Sequence, residues 1–214
     1  MPATVPADLA AIEFIGTALA PFFLNDPRTG DAADAFAAMA RLDSVSAASE
    51  WPFVESTDAQ GALEAMVAGL AAGTNSDALV AEYRRLFIGP APKPAPPWGS
   101  VYTDRECVVF GLTTLELRQW MRDHGIARTT DERTPEDHIG LMLALMAHVA
   151  RTQPTSLDDF LQTQLLTWSS HFLEQLEAAA QQPFYQGLAR LTRLSLEGIQ
   201  RARGLEVTYP RFYR

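Results

Sequence analysis

Five prolines, Pro90, Pro92, Pro94, Pro96 and Pro97, fall within eight consecutive positions. Each locks its own φ and lacks an amide donor, so neither a helix nor an interior strand can pass through this stretch. The chain is therefore split around an extended, polyproline-like segment that is stiff and poor in backbone hydrogen bonds. Aromatics stand at both of its ends: Phe87 before it, Trp98 and Tyr102 after it. Such side chains either plug a core or line a groove for an apolar helical or extended peptide. On the segment alone the two readings are evenly matched.

On either side of the prolines the apolar residues recur with helical spacing. Leu9, Ile12, Ile15 and Leu19 with Phe22 and Phe23 mark a first helix, ending near Pro21 or the Asn25-Asp26-Pro27 turn. Further helices are predicted over Asp31–Leu42, around Leu63 to Leu70 with a stop at Gly73, and over Ser76–Ile88 with a stop at Gly89. After the prolines, Thr103 and Glu106 have capping-box spacing, and a helix is expected from Thr103 to about His124. Thr134–Arg151, Ser156 to about Gln181 and Pro183 to about Arg203 complete the series, with Pro135, Pro154 and Pro183 at helix starts where a missing amide does no harm. No Asn-Gly hairpin, alternating run or internal repeat is present. The expectation is an all-α fold, a single bundle-like domain over residues 1–214 with about eight or more helices. The aromatic, basic stretch Thr208–Arg214 is expected to pack back on the body.

A chain of 214 residues with 47% hydrophobic content can bury a core without staples. Its single cysteine, Cys107, favours a reducing compartment, the cytoplasm. The first residues lack the basic n-region of a signal peptide, and no apolar run approaches the roughly 20 residues a membrane span needs; the longest is placed around Ile139 to Val149. Residues 183–214 carry six Arg against two Glu, net +4, while the other 11 basic and 24 acidic groups leave −13 on the rest. A body so acidic repels phosphate backbones and excludes general nucleic-acid binding, but suits a basic peptide as well as it serves solubility.

A second segment, Thr134-Pro135-Glu136-Asp137-His138-Ile139-Gly140, reads as a helix start with Thr134 as N-cap and acids at N2 and N3 facing the positive end of the helix dipole. An ordinary capped start accounts for everything but His138. Metal binding lacks support: His124, His138, His148 and His171 have no ligand spacing, and no Cys-x2-Cys occurs. Neither G-x-S-x-G nor a phosphate loop is present. No catalytic residue and no cofactor is expected. Two rivals stand beside a peptide-binding function: a nucleotide-dependent enzyme, and a structural subunit that docks on a larger complex. Because Glu106 and Thr134 are separated by essentially one helix and its exit loop, an antiparallel return is expected to bring Trp98 and Asp137 to the same end of the bundle.

Leu86-Phe87-x-Gly-Pro, Pro97-Trp98-Gly-Ser-Val-Tyr-Thr-Asp-Arg-Glu, Phe110-Gly111, Leu117-Arg118-x-Trp120 and Pro135-Glu136-Asp137-His138-Ile139-Gly140 together resemble the redox-enzyme maturation chaperones of the TorD/NarJ type, nearest to the branch serving dimethyl sulfoxide reductases. The stretch around Pro183-Phe184-Tyr185 resembles it too, and the likeness covers roughly residues 80–214. The resemblance implies an all-helical cytoplasmic chaperone that binds the twin-arginine leader of a molybdenum-cofactor oxidoreductase subunit and holds back Tat export until folding and cofactor loading are complete. It also implies Tat translocase components as further partners, and no stable membrane insertion. Carried over by motif, the leader-binding residues are Tyr83, Leu86, Phe87, Pro97, Trp98, Tyr102, Arg105, Glu136, Asp137 and His138. Glu136 and Asp137 are expected to meet the leader's arginines, and Phe87, Trp98 and Tyr102 its apolar stretch. This chain has Tyr83 and Tyr102 where relatives carry Trp, and Thr134 where the family motif begins with Glu.

Overall fold

The computed structural model describes residues 7–128 and 134–214. Among these the fold is all-α, and the one β-type pairing is an isolated bridge. The first half holds α1 (Ala7–Leu24), α2 (Ala33–Ala40), α3 (Ser44–Glu50), α4 (Ser56–Gly69) and α5 (Asp77–Tyr83), the last running on as a π-helical turn, Arg84–Ile88. After the proline segment come α6 (Ser100–Thr103), α7 (Leu112–Asp123), α8 (Ile139–Thr152), α9 (Leu157–Phe160), α10 (Ser169–Ala179) and α11 (Pro183–Arg203).

One hydrophobic core, from Leu9 to Ile199, joins these elements. Helix α1 lies along α8, and α11 lies between α4 and α10. Gly16 permits the first pairing, since a Cβ there would run into the main chain of Leu143 and the side chain of Ala147. Gly187 does the same for α11, set against the backbone of Ala62 on α4. Helix α1 continues through Pro21, and its last turn is closed where Asn25 N and Nδ2 both donate to Pro21 O, at 3.1 and 3.0 Å. At 18 residues and a mean hydropathy of 1.6 it is long and apolar enough to cross a bilayer, against the expectation that no apolar run approaches that length and that the longest lies at Ile139 to Val149. Here it is a core helix, with Ile12, Ile15, Leu19 and Phe23 fully buried. At its N-terminal end Asp8, together with Asp158 of α9, holds Arg203 of α11, each at 2.5 Å.

Four sequence expectations change. Helix α3 was not anticipated; it buries only Ala48, so its periodicity is faint, although Asp43 caps it by accepting from Val45 N and Ser46 N. No helix starts at Thr103. The chain leaves α6 there, takes positive φ at Cys107 and Phe110, and begins α7 at Leu112. Asp104 binds the Thr113 hydroxyl at 3.1 Å instead of capping a helix, and Val108, Val109, Leu112 and Leu115 are exposed rather than core-facing. The segment from Ser156 to Gln181 is broken by a π-helical turn, Leu161–Leu165, and by non-helical backbone at Trp168. Helix α8 starts at Ile139, not Thr134, for a reason that belongs to the site.

Residues 205–214 follow α11 without regular structure and lie back across the body, as expected for Thr208–Arg214. Phe212 stacks on His171, with ring centroids 4.2 Å apart. Tyr209 and Tyr213, however, stay 53% and 42% exposed.

Candidate functional site

The proline segment and the Thr134–Gly140 segment meet, as their spacing predicts. Trp98 and His138 form the isolated antiparallel bridge: Ile139 N donates to Pro97 O at 2.8 Å, and Gly99 N donates to Asp137 O at 3.2 Å. This pairing keeps residues 135–138 out of the helix, so His138 rather than Thr134 becomes the N-cap of α8. Its backbone is extended, and its Nδ1 accepts from Gly140 N at 3.1 Å. Asp137 does not turn back as a capping residue. Its Oδ2 accepts from Ser100 N at 2.8 Å, the first amide of α6. Gly140 is required because a Cβ there would collide with Leu24 and Phe23 of α1.

Burial governs the charges. His138 is 5% exposed, and its imidazole is pushed down to about 3, first by burial and then by the positive charge of Lys93. It is therefore neutral at physiological pH, and the bond from Gly140 N fixes Nδ1 as the acceptor and Nε2 as the protonated nitrogen. The Asp137 carboxyl, 1% exposed, is pushed above its usual range by burial, and the bond from the Ser100 amide pulls it back only in part. Glu136 is held by Arg118 at 2.7 Å, with Arg128 at 4.0 Å.

The predicted site residues divide by depth. Tyr83, Leu86, Phe87, Pro97, Tyr102, Asp137 and His138 are all buried. Phe87 lies in an aromatic cluster with Tyr83, Phe23 and Tyr185, centroids 5.2, 5.9 and 5.8 Å away. Tyr102 lies parallel to Trp168, and burial pushes its phenol well up. Trp98 is half-buried, Glu136 sits at the rim in its ion pairs, and Arg105 is exposed.

Other residues shape the site without having been picked out from the sequence. Lys93 stands over the Trp98 ring, 5.3 Å from its centroid, and donates to Ile88 O at 3.1 Å. With Trp98, Pro96, Val109 and Arg214 it lines an open depression of about 370 Å³. Ser100 and Arg118 anchor the two acids. Beyond the depression, Phe110 and Leu112 present an apolar ridge, 51% and 65% exposed. Val108, Val109 and Phe110 fall inside the helix expected from Thr103 to about His124; the signal against it is the Gly111 directly after them, with Asp104 and Thr113 placed to break the helix.

The helical body carrying this bridged pair of segments has the fold of a putative redox enzyme maturation protein from Archaeoglobus fulgidus, with a TM-score of 0.53 at 21% identity over 90% of this chain and 94% of that one. Residues 55–175 match the model of the family described as nitrate reductase delta subunit, and the chain belongs to that family. It is 50% identical over 133 residues to a probable Tat proofreading chaperone DmsD of Haemophilus influenzae, covering 62% of this chain and 66% of the relative. It is 43% identical over 148 residues to the Tat proofreading chaperone DmsD of Salmonella typhimurium, covering 69% and 70%. The matched stretches thus span about two thirds of each relative's length.

Proposed function

We propose that this chain is a system-specific chaperone of the cytoplasm that binds the twin-arginine leader of a molybdenum-cofactor oxidoreductase subunit of the dimethyl sulfoxide reductase type, and delays its Tat export until folding and cofactor loading are complete. The observation that carries the reading is the 50% identity to a relative named for Tat proofreading, over a stretch of 133 residues. Binding and release suffice for this role, and the relatives are named as chaperones rather than enzymes.

The leader meets the surface around Trp98, Arg105 and the apolar ridge at Phe110 and Leu112. Its arginines reach Glu136 by exchanging with Arg118, a charge-assisted contact at the rim. Asp137 and His138 act from beneath: they hold the two segments in register, so the Trp98 face is presented in one orientation. Tyr83, Leu86, Phe87, Pro97 and Tyr102 support that face from the core. Tat translocase components are the further partners of the loaded chaperone.

Isothermal titration with a synthetic leader of the S-R-R-x-F-L type tests this. Submicromolar binding is expected, and a Trp98→Ala variant that melts normally is expected to bind at least about tenfold more weakly. A correctly folded chain that ignores such leaders would sink the reading.

A further inference from the structure

We infer that residues 208–214 occupy, from within the chain, the face beside Trp98 and Lys93 on which a leader docks, so that the chaperone carries its own displaceable stand-in. This rests on the reading of the chain as a leader-binding chaperone.

The segment is fixed where the candidate site begins. Tyr213 N donates to Tyr102 O at 2.9 Å, one turn beyond the Trp98–His138 bridge. Arg214 Nη2 donates to Lys93 O in the proline segment at 2.9 Å, and Arg214 lines the same depression as Trp98 and Lys93. On its other side His171 Nε2 donates to the main-chain oxygen of Arg214 at 2.7 Å, while Phe212 stacks face to face on the His171 ring.

The chemistry of the segment matches what a leader offers. Thr-Tyr-Pro-Arg-Phe-Tyr-Arg alternates guanidinium and aromatic groups, with no acid, on a chain otherwise rich in acids. Two of its anchors on the body are main-chain carbonyls, those of Tyr102 and Lys93. Any extended peptide with an amide and an arginine at matching spacing can use them. The hold is light: the segment has no regular structure, and Tyr209 and Tyr213 stay 53% and 42% exposed. Arg214 fills the depression beside Lys93 and Trp98 and occupies the Lys93 carbonyl that an incoming chain would use. Leader and segment therefore exclude one another.

The test compares three forms of the protein: the full chain, a chain ending at Val207, and the double variant Phe212→Ala/Arg214→Ala. Each is titrated with the same S-R-R-x-F-L-type leader, and the free heptapeptide TYPRFYR is added as competitor. Both altered forms are expected to bind leader about five- to tenfold more tightly than the full chain, the loss of one or two weak contacts. The heptapeptide is expected to bind the shortened chain and to raise its apparent leader Kd. If the shortened chain fails to melt cooperatively, the double variant decides. Equal leader affinity in all folded forms, with no competition by the heptapeptide, overturns the stand-in and leaves the chaperone reading intact. Absence of leader binding in every form overturns both.

Discussion

Trp98 and His138 face one another edge to face, ring centroids 5.8 Å apart, across a bridge that joins positions 40 residues apart in sequence. The imidazole caps α8 with one nitrogen while its ring supports the indole that lines the surface depression. A residue that resembles a catalytic group is thereby placed as a neutral strut.

Neutrality has a pH signature. His138 titrates near 6.5 when unfolded and is held down to about 3 in the fold, so between these values the unfolded chain binds the extra proton. Stability from this group is fully present above pH 6.5 and falls as pH drops through the window, by about 2 kcal/mol from pH 6.5 to 5. His138→Asn keeps a side-chain acceptor for Gly140 N and removes the titration. Urea melts at a series of pH values are expected to show a flatter profile for this variant; an unchanged slope would count against the assignment.

Asp137 behaves in the opposite sense. Its folded pKa lies above its unfolded value, so its contribution is present below the unfolded pKa and lost as pH rises through the folded one. At pH 7 the ionised form is a burden. Asp137→Asn retains an oxygen for Ser100 N and is expected to melt at the same or a higher temperature than the parent. Asp137→Ala strands that amide and is expected to cost about 1–3 kcal/mol. Calorimetry on the pair checks the order; Asn melting below Ala would refute it.

Glu82, 6% exposed, receives Arg85 at 2.7 and 2.8 Å and the Gln181 amide at 2.6 Å. Burial pulls its carboxyl up, but these donors together hold it below the usual value. Its stability contribution is thus present above about pH 4.5 and lost as pH falls through the lowered value. Glu82→Gln is expected to lose about 2 kcal/mol at neutral pH and to resist further acidification better than the parent. Equilibrium denaturation at pH 7 and pH 4 measures both.

Gly16 tests the packing of α1 on α8. Gly16→Val forces a branched side chain into the main chain of Leu143 and is expected to cost about 2–3 kcal/mol, lowering Tm by roughly 4–10 °C. Gly61, with no atom within 4 Å of a built Cβ, is the control position. Equal losses at Gly16 and Gly61 would show that helix propensity, not contact, sets the effect.

The helical class was readable because long stretches repeat their apolar residues strongly, as in α1 and α11. What failed was local. Val108, Val109, Leu112 and Leu115 have helical spacing, but spacing does not say whether an apolar face is covered, and here it is not. The Thr134 cap was misread because Asp137 and Pro97 spend their backbone groups on a pairing between distant segments, which no local rule anticipates. The meeting of Trp98 with the Asp137-His138 pair was readable from the length of chain between them. The depth of Tyr102 was not, because a tyrosine beside a proline segment fits a wall as well as a core. Lys93 escaped notice because a lone lysine among prolines looks like solvated surface.

The two hydrogen bonds Ile139 N–Pro97 O and Gly99 N–Asp137 O knot the chain at one neck, with everything from α6 through α7 strung between. The entropy of closing such a lasso grows only with the logarithm of its length, about 0.6 kcal/mol for each doubling. The neck therefore tolerates insertions and deletions in the lasso far better than a change of register at Pro97 or Ile139. Lineages of this architecture are free to vary the span of the lasso, and with it the reach of the exposed Phe110–Leu112 ridge, while the knot keeps Trp98 seated on His138.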